Sequence, residues 1–299
     1  MPSSHPGRRT ARLAVAALLL LSAVAYTAWV LEVVLSTGLD PVQAYISELA
    51  AEDQPLGGLF RATDLIAGLA VLAAAGTALL TGSYGAPDDA VPDGAAPDRS
   101  ASDGAADHTA PGRAAPDRRS AARRWGARSL PGRRPWAVVG WAALALFGAA
   151  TAADSRLPLS CAPTSDEMCA ARETAGLVPA THTAHAVTSS LAMLGALGGL
   201  IALTVAARRY GWWPPVRRYG PWLLAGELLA TGWSLAAIAV FEAGHGTWSL
   251  GAGQRLQVLL VALWLAVLAV SLARIGGGPT VPAGVPGTTR TGAGGAEAR

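Results

Sequence analysis

Two histidines three positions apart, His182 and His185, open the fourth long apolar run of this sequence, and Ser189 follows one turn later. At about 100° per residue, His182 and Ser189 differ by about 20° and His185 lies about 60° away, so a helix puts all three on one face. Imidazole is a common metal ligand near neutral pH, and this pair can share an ion with His245 and a carboxylate such as Asp64 or Asp154. Three protein ligands and one open position are what hydrolytic zinc requires, because the metal lowers the pKa of bound water toward ~7. The spacing differs from the His-Glu-x-x-His arrangement of zinc proteases. In this reading zinc is the cofactor, His182, His185 and His245 are its ligands, and Asp64, Asp154, Glu48 and Ser189 are the candidate catalytic groups.

Two other readings use the same residues. In a structural one, the histidines sit at a helix N-terminus bonded to neighbouring acids or backbone, and Asp64 pairs with Arg61 or Arg255. In the other, a small polar ligand, a lipid or a proton is held without metal by Glu32, Asp64 and Glu227, since carboxylates inside a bilayer commonly mark pathways. Glu227 falls in the inner half of the fifth run, away from the others, with Thr231 one turn on. Ser47, Glu48, Glu242, Gln254 and Arg255 complete the polar vestibule.

What must position these groups is a membrane bundle. The chain is 52% hydrophobic and 14% charged, with a mean hydropathy of +0.35, whereas soluble domains carry ~25% charged residues. Apolar runs long enough to cross ~30 Å of hydrocarbon occupy residues 13–35, 58–80, 136–153, 180–206, 221–241 and 256–275. An all-α, six-span protein follows. Arginines gather before the first run (Arg8, Arg9, Arg12), between the second and third, between the fourth and fifth (Arg208, Arg209, Arg217, Arg218) and after the last (Arg274). Positive charge stays in the cytoplasm, so both termini are expected there and the vestibule on the extracytoplasmic side of a plasma membrane. Residues 13–21, followed by Ala23-Val24-Ala25, also fit a cleavable leader, although apolarity continues through Leu35. Trp136, Trp212, Trp213 and Trp222 are expected at the inner boundary and Trp248 in an outer loop.

The chain has neither Lys nor Asn. Walker-type phosphate binding and Schiff-base chemistry, which need a lysine, are therefore excluded. Nucleic-acid binding has no support, because the net charge of +3 comes from arginines that topology already explains. Membrane lipids are the expected partners, and the outer loops offer a surface to another membrane protein.

The expected organisation is a cytoplasmic N-terminus (1–12), spans one and two (13–82), a disordered cytoplasmic loop (83–135), spans three to six (136–275) and a disordered tail (276–299). The loop is rich in Ala, Pro, Gly, Asp and Arg and poor in large apolar residues. Outside, Asp40 and Pro41 suit the start of a short helix ending at Ala50 and lying at the interface. Cys161 and Cys169, the two cysteines of the chain, read as a disulfide in an oxidising compartment. Two thiolates alone lack the second pair that structural zinc uses.

The run Tyr45-Ile46-Ser47-Glu48-Leu49, Asp154 closing the third span, the Cys161-Ala162-Pro163 to Cys169 loop, and the entry from Gly176 to His182 and His185 resemble the DUF998 family of bacterial six-helix membrane proteins. The likeness covers about residues 13–275 outside the cytoplasmic loop. It implies fold and topology and brings no established reaction. A remoter similarity is to seven-helix hydrolases of the alkaline ceramidase and progestin-receptor type, which use Ser, Asp and three His around zinc. This chain has six spans and no His-x-x-x-His pair in the last one.

Overall fold

The structure is a computed structural model that describes residues 6–82 and 134–275. The segment expected to form the cytoplasmic loop, apart from its last two residues, and the tail after Ile275 lie outside the described residues. Helices run over α1 (Pro6–Tyr26), α2 (Gly57–Thr81), α3 (Pro135–Asp154), α4 (Glu167–Thr174), α5 (Ala180–Tyr210), α6 (Pro214–Glu242) and α7 (Leu250–Ala273). With α1 extended by a 3₁₀ turn, Ala28–Val33, six of these are long and apolar enough to cross a membrane.

The departures from sequence expectation are local. Span one is expected to be a single helix to Leu35 but changes pitch after Tyr26, because the Thr27 hydroxyl donates to the carbonyls of Ala23 and Val24 at 3.1 and 3.0 Å. Such back-bonding competes with the helical ladder. The outer segment expected as an interfacial helix is a turn closed on Asp40, whose carboxylate accepts from the Val42 N–H at 2.8 Å, followed by a 3₁₀ turn, Ile46–Ala50. Glu48, Leu49 and Ala50 are buried in the protein. α6 begins seven residues before Pro221, with Pro214 in its first turn, where a missing N–H costs nothing. The short helix α4 is an addition; Asp166 caps it by accepting from the Met168 N–H at 2.8 Å.

Close backbone approach holds α2, α3 and α5 together. A Cβ on Gly148 would lie 2.6 Å from both the Gly68 carbonyl and the Leu72 nitrogen, and one on Gly195 would lie 2.5 Å from the Phe147 nitrogen. Between apolar helices in lipid, this contact of small residues supplies packing that hydrophobicity cannot. Trp141, Leu144, Phe147, Leu200, Leu203, Trp264 and Leu265 fill the centre. Trp212 and Trp213, expected in the interfacial belt, are buried beside the α5–α6 turn, whereas Trp222 and Trp248 are exposed. α5 packs chiefly on α3, and α6 on α7; α5 and α6 touch much less.

Candidate functional site

A cavity of about 490 Å³ occupies the end of the bundle where α1, α3 and α6 finish and α2, α5 and α7 begin. Its polar wall carries Arg61 and Asp64 from α2, Asp154 from α3, His185 and Ser189 from α5, and Gln254 and Gln257 from α7. Aromatic rings of Tyr26, Trp29, Tyr45 and Phe60 line it from α1, the outer segment and α2. Ala186, Ser190, Met193, Leu235 and Ile238 form the flank between α5 and α6, and of these Ala186, Ser190 and Leu235 are also exposed on the molecular surface. The volume lies in the range typical of small-molecule sites, roughly 300–1,000 Å³.

One network lies on the α3–α5 wall. Asp154 ends α3, and His185, Thr188 and Ser189 rise from the first turns of α5. The His185 Nδ1 lies 3.0 Å from the Leu157 carbonyl and 3.1 Å from Asp154 Oδ1, and its Nε2 lies 3.3 Å from Ser189 Oγ. Ser189 Oγ is also 3.1 Å from each Asp154 oxygen, and Thr188 donates to Oδ1. The carbonyl of Leu157 can only accept, so Nδ1 carries a proton in this arrangement and the Nε2 lone pair faces the serine.

Asp64 faces the cavity and, among the described residues, makes no hydrogen bond or ion pair; Asp154 is near enough to interact with it electrostatically. The expected pairing of Asp64 with Arg61 or Arg255 does not form. Arg61 donates through Nη1 to the carbonyls of Ala50 and Ala51 at 2.7 and 3.1 Å. Arg255 pairs with Glu32, which reaches it at the foot of the first span. Its Nε and Nη2 donate to the two Glu32 oxygens at 2.6 and 2.8 Å, and its Nη1 donates to the carbonyls of Ala44 and Gly251 at 3.0 and 3.2 Å.

The outer connections are clasped over this end. The Ile46 N–H donates to Gln254 Oε1 at 2.9 Å, and Gln43 Oε1 accepts from Thr247 and from the Ser249 N–H. Ser47 lines the cavity, whereas Glu48 points away from it, fully buried, accepting from the Thr164 N–H at 2.8 Å and the Thr164 hydroxyl at 2.5 Å. Removal from water pushes the Glu48 carboxyl up to about 7, against the opposing pull of the two Thr164 bonds. Burial likewise raises the Tyr45 phenol, with the nearby acids Glu242, Glu173 and Glu48 adding to it. Thr164 belongs to the loop closed by the Cys161–Cys169 disulfide, which forms as expected.

The three histidines expected as zinc ligands do not converge. His182 is buried with Nδ1 accepting from the Ser160 N–H at 3.2 Å, and its Nε2 lies 3.4 Å from Glu173. That geometry pins α4 and the disulfide loop to α5. His245 is exposed in the turn after α6, between Gly244 and Gly246, both at positive φ, and is not among the residues lining the cavity. Among the described residues no three His, Cys, Asp or Glu side chains are placed to hold one ion. The physical reason is helical: neighbours on one face still diverge when each ring is captured by a different partner. Glu242 lines the cavity from its exposed rim.

Glu227 is fully buried with neither oxygen hydrogen-bonded among the described residues, and its polar neighbour is Gln257, which donates to Thr231 at 2.8 Å. Gln257 itself lines the cavity, so a single side chain links Glu227 to it. Sequence reasoning missed Tyr26, Trp29, Glu173 and Gln257 as lining residues. The first two sit in an apolar run that gives no polar signal, and Glu173 belongs to the unanticipated α4.

Six membrane-length helices enclosing a cavity at one end define a multi-pass integral membrane protein. The chain belongs to the DUF998 family, described as a protein of unknown function, whose sequence profile matches residues 7–88 and 120–271. No curated protein and no solved structure matches the chain.

Proposed function

We propose that the protein binds an amphipathic, lipid-like molecule in this cavity, its polar head among Asp64, Asp154, His185 and Ser189 and its apolar part between α5 and α6. The observation that carries the reading is the composition of the lining: the hydrogen-bonding groups of Asp64, Asp154, His185 and Ser189 together with the apolar Ala186, Met193, Leu235 and Ile238 of α5 and α6. Exposed residues on that flank, and the light contact between α5 and α6, support access from the bilayer. The two helices meet at their far ends, where Gly220 admits the Thr204 side chain. With the arginine distribution setting orientation, the cavity faces the extracytoplasmic leaflet of the plasma membrane.

The test is native mass spectrometry of the full chain, stripped of lipid in detergent and then given defined phospholipids and lysophospholipids. Ser190→Trp and Leu235→Trp fill the flank, and Leu80→Trp, on a side chain 90% exposed, is the control. Occupancy is expected to fall at least tenfold in the two flank variants and to stay unchanged in the control. Equal occupancy in all three would overturn the reading.

A further inference from the structure

We infer that Ser189, His185 and Asp154 form an acyl-transfer centre on the cavity wall, acting on an ester of an amphipathic alcohol or acid. The inference rests on the cavity's holding such a molecule and goes beyond binding by assigning a reaction.

The three side chains are connected in the order the chemistry requires. Ser189 Oγ lies 3.3 Å from His185 Nε2, and His185 Nδ1 lies 3.1 Å from Asp154 Oδ1 and 3.0 Å from the Leu157 carbonyl. A serine hydroxyl is a weak nucleophile that an adjacent imidazole activates, provided a third group holds the ring. Two acceptors on the Nδ1 side fix the tautomer with the Nε2 lone pair toward the hydroxyl. His185 is buried and its Nδ1 is held by the Leu157 carbonyl, while Ser189 borders the cavity where a carbonyl would sit.

The i, i+4 spacing of His185 and Ser189 sets this contact within one helix, and Asp154 arrives from the end of α3. Thr188 donates to Asp154, which locates its carboxylate independently of the histidine; the single Ser189 proton rests on that carboxylate at 3.1 Å and turns to His185 Nε2, 3.3 Å away, for the attack. Asp154 is thus the positioning residue, and Ser189 and His185 are the catalytic ones. Arg61 borders the same cavity; its Nη1 is anchored on two backbone carbonyls, and its remaining N–H groups are uncommitted among the described residues. It is the cation available to charge developing on the substrate's carbonyl oxygen.

In the reaction, Ser189 Oγ attacks the ester carbon as its proton passes to His185 Nε2. The tetrahedral adduct expels the alkoxide, which takes that proton and leaves as the alcohol. Water, giving one proton to Nε2, then attacks the acyl-serine, and Ser189 recovers its proton as the carboxylic acid departs. No oxidant or reductant is involved.

A long-chain alkyl fluorophosphonate tests this on the full protein in detergent, because its phosphorus is attacked by an activated serine with loss of fluoride. Peptide mass spectrometry is expected to find the adduct on Ser189 in the native sequence and in Ser190→Ala. Ser189→Ala is expected to abolish it, and His185→Ala and Asp154→Asn to slow labelling at least tenfold, with Asp154→Glu recovering part of the rate. Lysophospholipid occupancy of Ser189→Ala is measured beside it. Retained occupancy with no adduct on Ser189 of the native protein would overturn the acyl-transfer assignment and leave the binding reading standing. Loss of lipid occupancy in the flank variants together with an adduct on Ser189 of the native protein would support both, undiminished labelling of those variants would overturn the link between the centre and the cavity, and an adduct on Ser190 in place of Ser189 would refute the centre.

Discussion

The ion pair between Glu32 and Arg255 gives the sharpest test of how the outer end is built. Arg255 is 6% exposed, and the Glu32 side chain is 4% exposed. Arg255→Met keeps the length of the side chain and removes every donor. Glu32 then loses bonds of 2.6 and 2.8 Å and stays behind as a buried charge, while the Ala44 carbonyl loses its 3.0 Å partner. Breaking a buried pair from one side costs about 3–5 kcal/mol, largely because of the stranded charge. Glu32→Gln leaves a neutral amide whose NH₂ faces the guanidinium, so one of two bonds is kept, and a smaller loss of about 2–3 kcal/mol is expected. Replacing both partners, with Glu32→Leu and Arg255→Met, strands nothing. That double variant should lie within about 2 kcal/mol of the native protein. Unfolding in mixed micelles, followed by tryptophan fluorescence, measures all three, and the cycle with Glu32→Leu alone yields a coupling of at least about 2 kcal/mol. A coupling near zero, or an Arg255→Met loss below about 1 kcal/mol, would show that the pair does not hold α1 to α7.

Three further outcomes follow from the structure. Glu48 holds its proton more tightly when folded, with a pKa raised from 4.5 to about 7. The folded state therefore binds more protons than the unfolded one in that window. Stability is greatest below pH ~4.5, falls as pH rises, and levels off above ~7, by about 3 kcal/mol at most. Thermal midpoints of the native protein and Glu48→Gln across pH 4 to 8 isolate this slope, which the variant should lack; identical profiles would contradict it. Gly148→Val forces a side chain where the α2 backbone already stands, and a loss toward the top of the ~1–3 kcal/mol overpacking range is expected. Gly76→Ala in α2, with open space around it, should leave the melting temperature unchanged or raise it slightly.

The six spans were legible because length and apolarity alone report them, and the disulfide because two cysteines eight positions apart allow one pairing. Periodicity placed His182, His185 and Ser189 on one face. It did not reveal that Ser160 and Glu173 take His182 while Leu157, Asp154 and Ser189 take His185. Leu157, Ser160 and Glu173 come from the connection between α3 and α5, which is closed by the disulfide and bonded to Glu48 through Thr164. His245 matched the others in type and depth along the chain, yet depth in sequence does not fix azimuth around a bundle. Glu32 and Arg255 are separated by 223 positions; a sequence offers each acid several candidate cations, and only the packing of α1 on α7 selects between them.

The distribution of clasps bears on how a ligand would reach the cavity. Across the top, the outer connections are held by Gln254 on the Ile46 N–H, Gln43 on Ser249, Thr164 on Glu48, and Arg255 on the Ala44 carbonyl. Each neutral bond contributes about 1 kcal/mol, and those to charged groups about 1.5–3, so lifting this cover breaks several at once and strands Arg255 or Glu48. The α5–α6 flank has no such bonds among the described residues: Ser190 is satisfied by its own helix, through the Ala186 carbonyl at 2.7 Å, and Leu235 and Ile238 are apolar. Side-chain rotation of Leu235 and Met193 alters that flank without breaking a hydrogen bond. Under the proposed lipid-binding function, entry through this flank breaks fewer hydrogen bonds than entry through the cover, which fits a ligand already dissolved in lipid better than a soluble one.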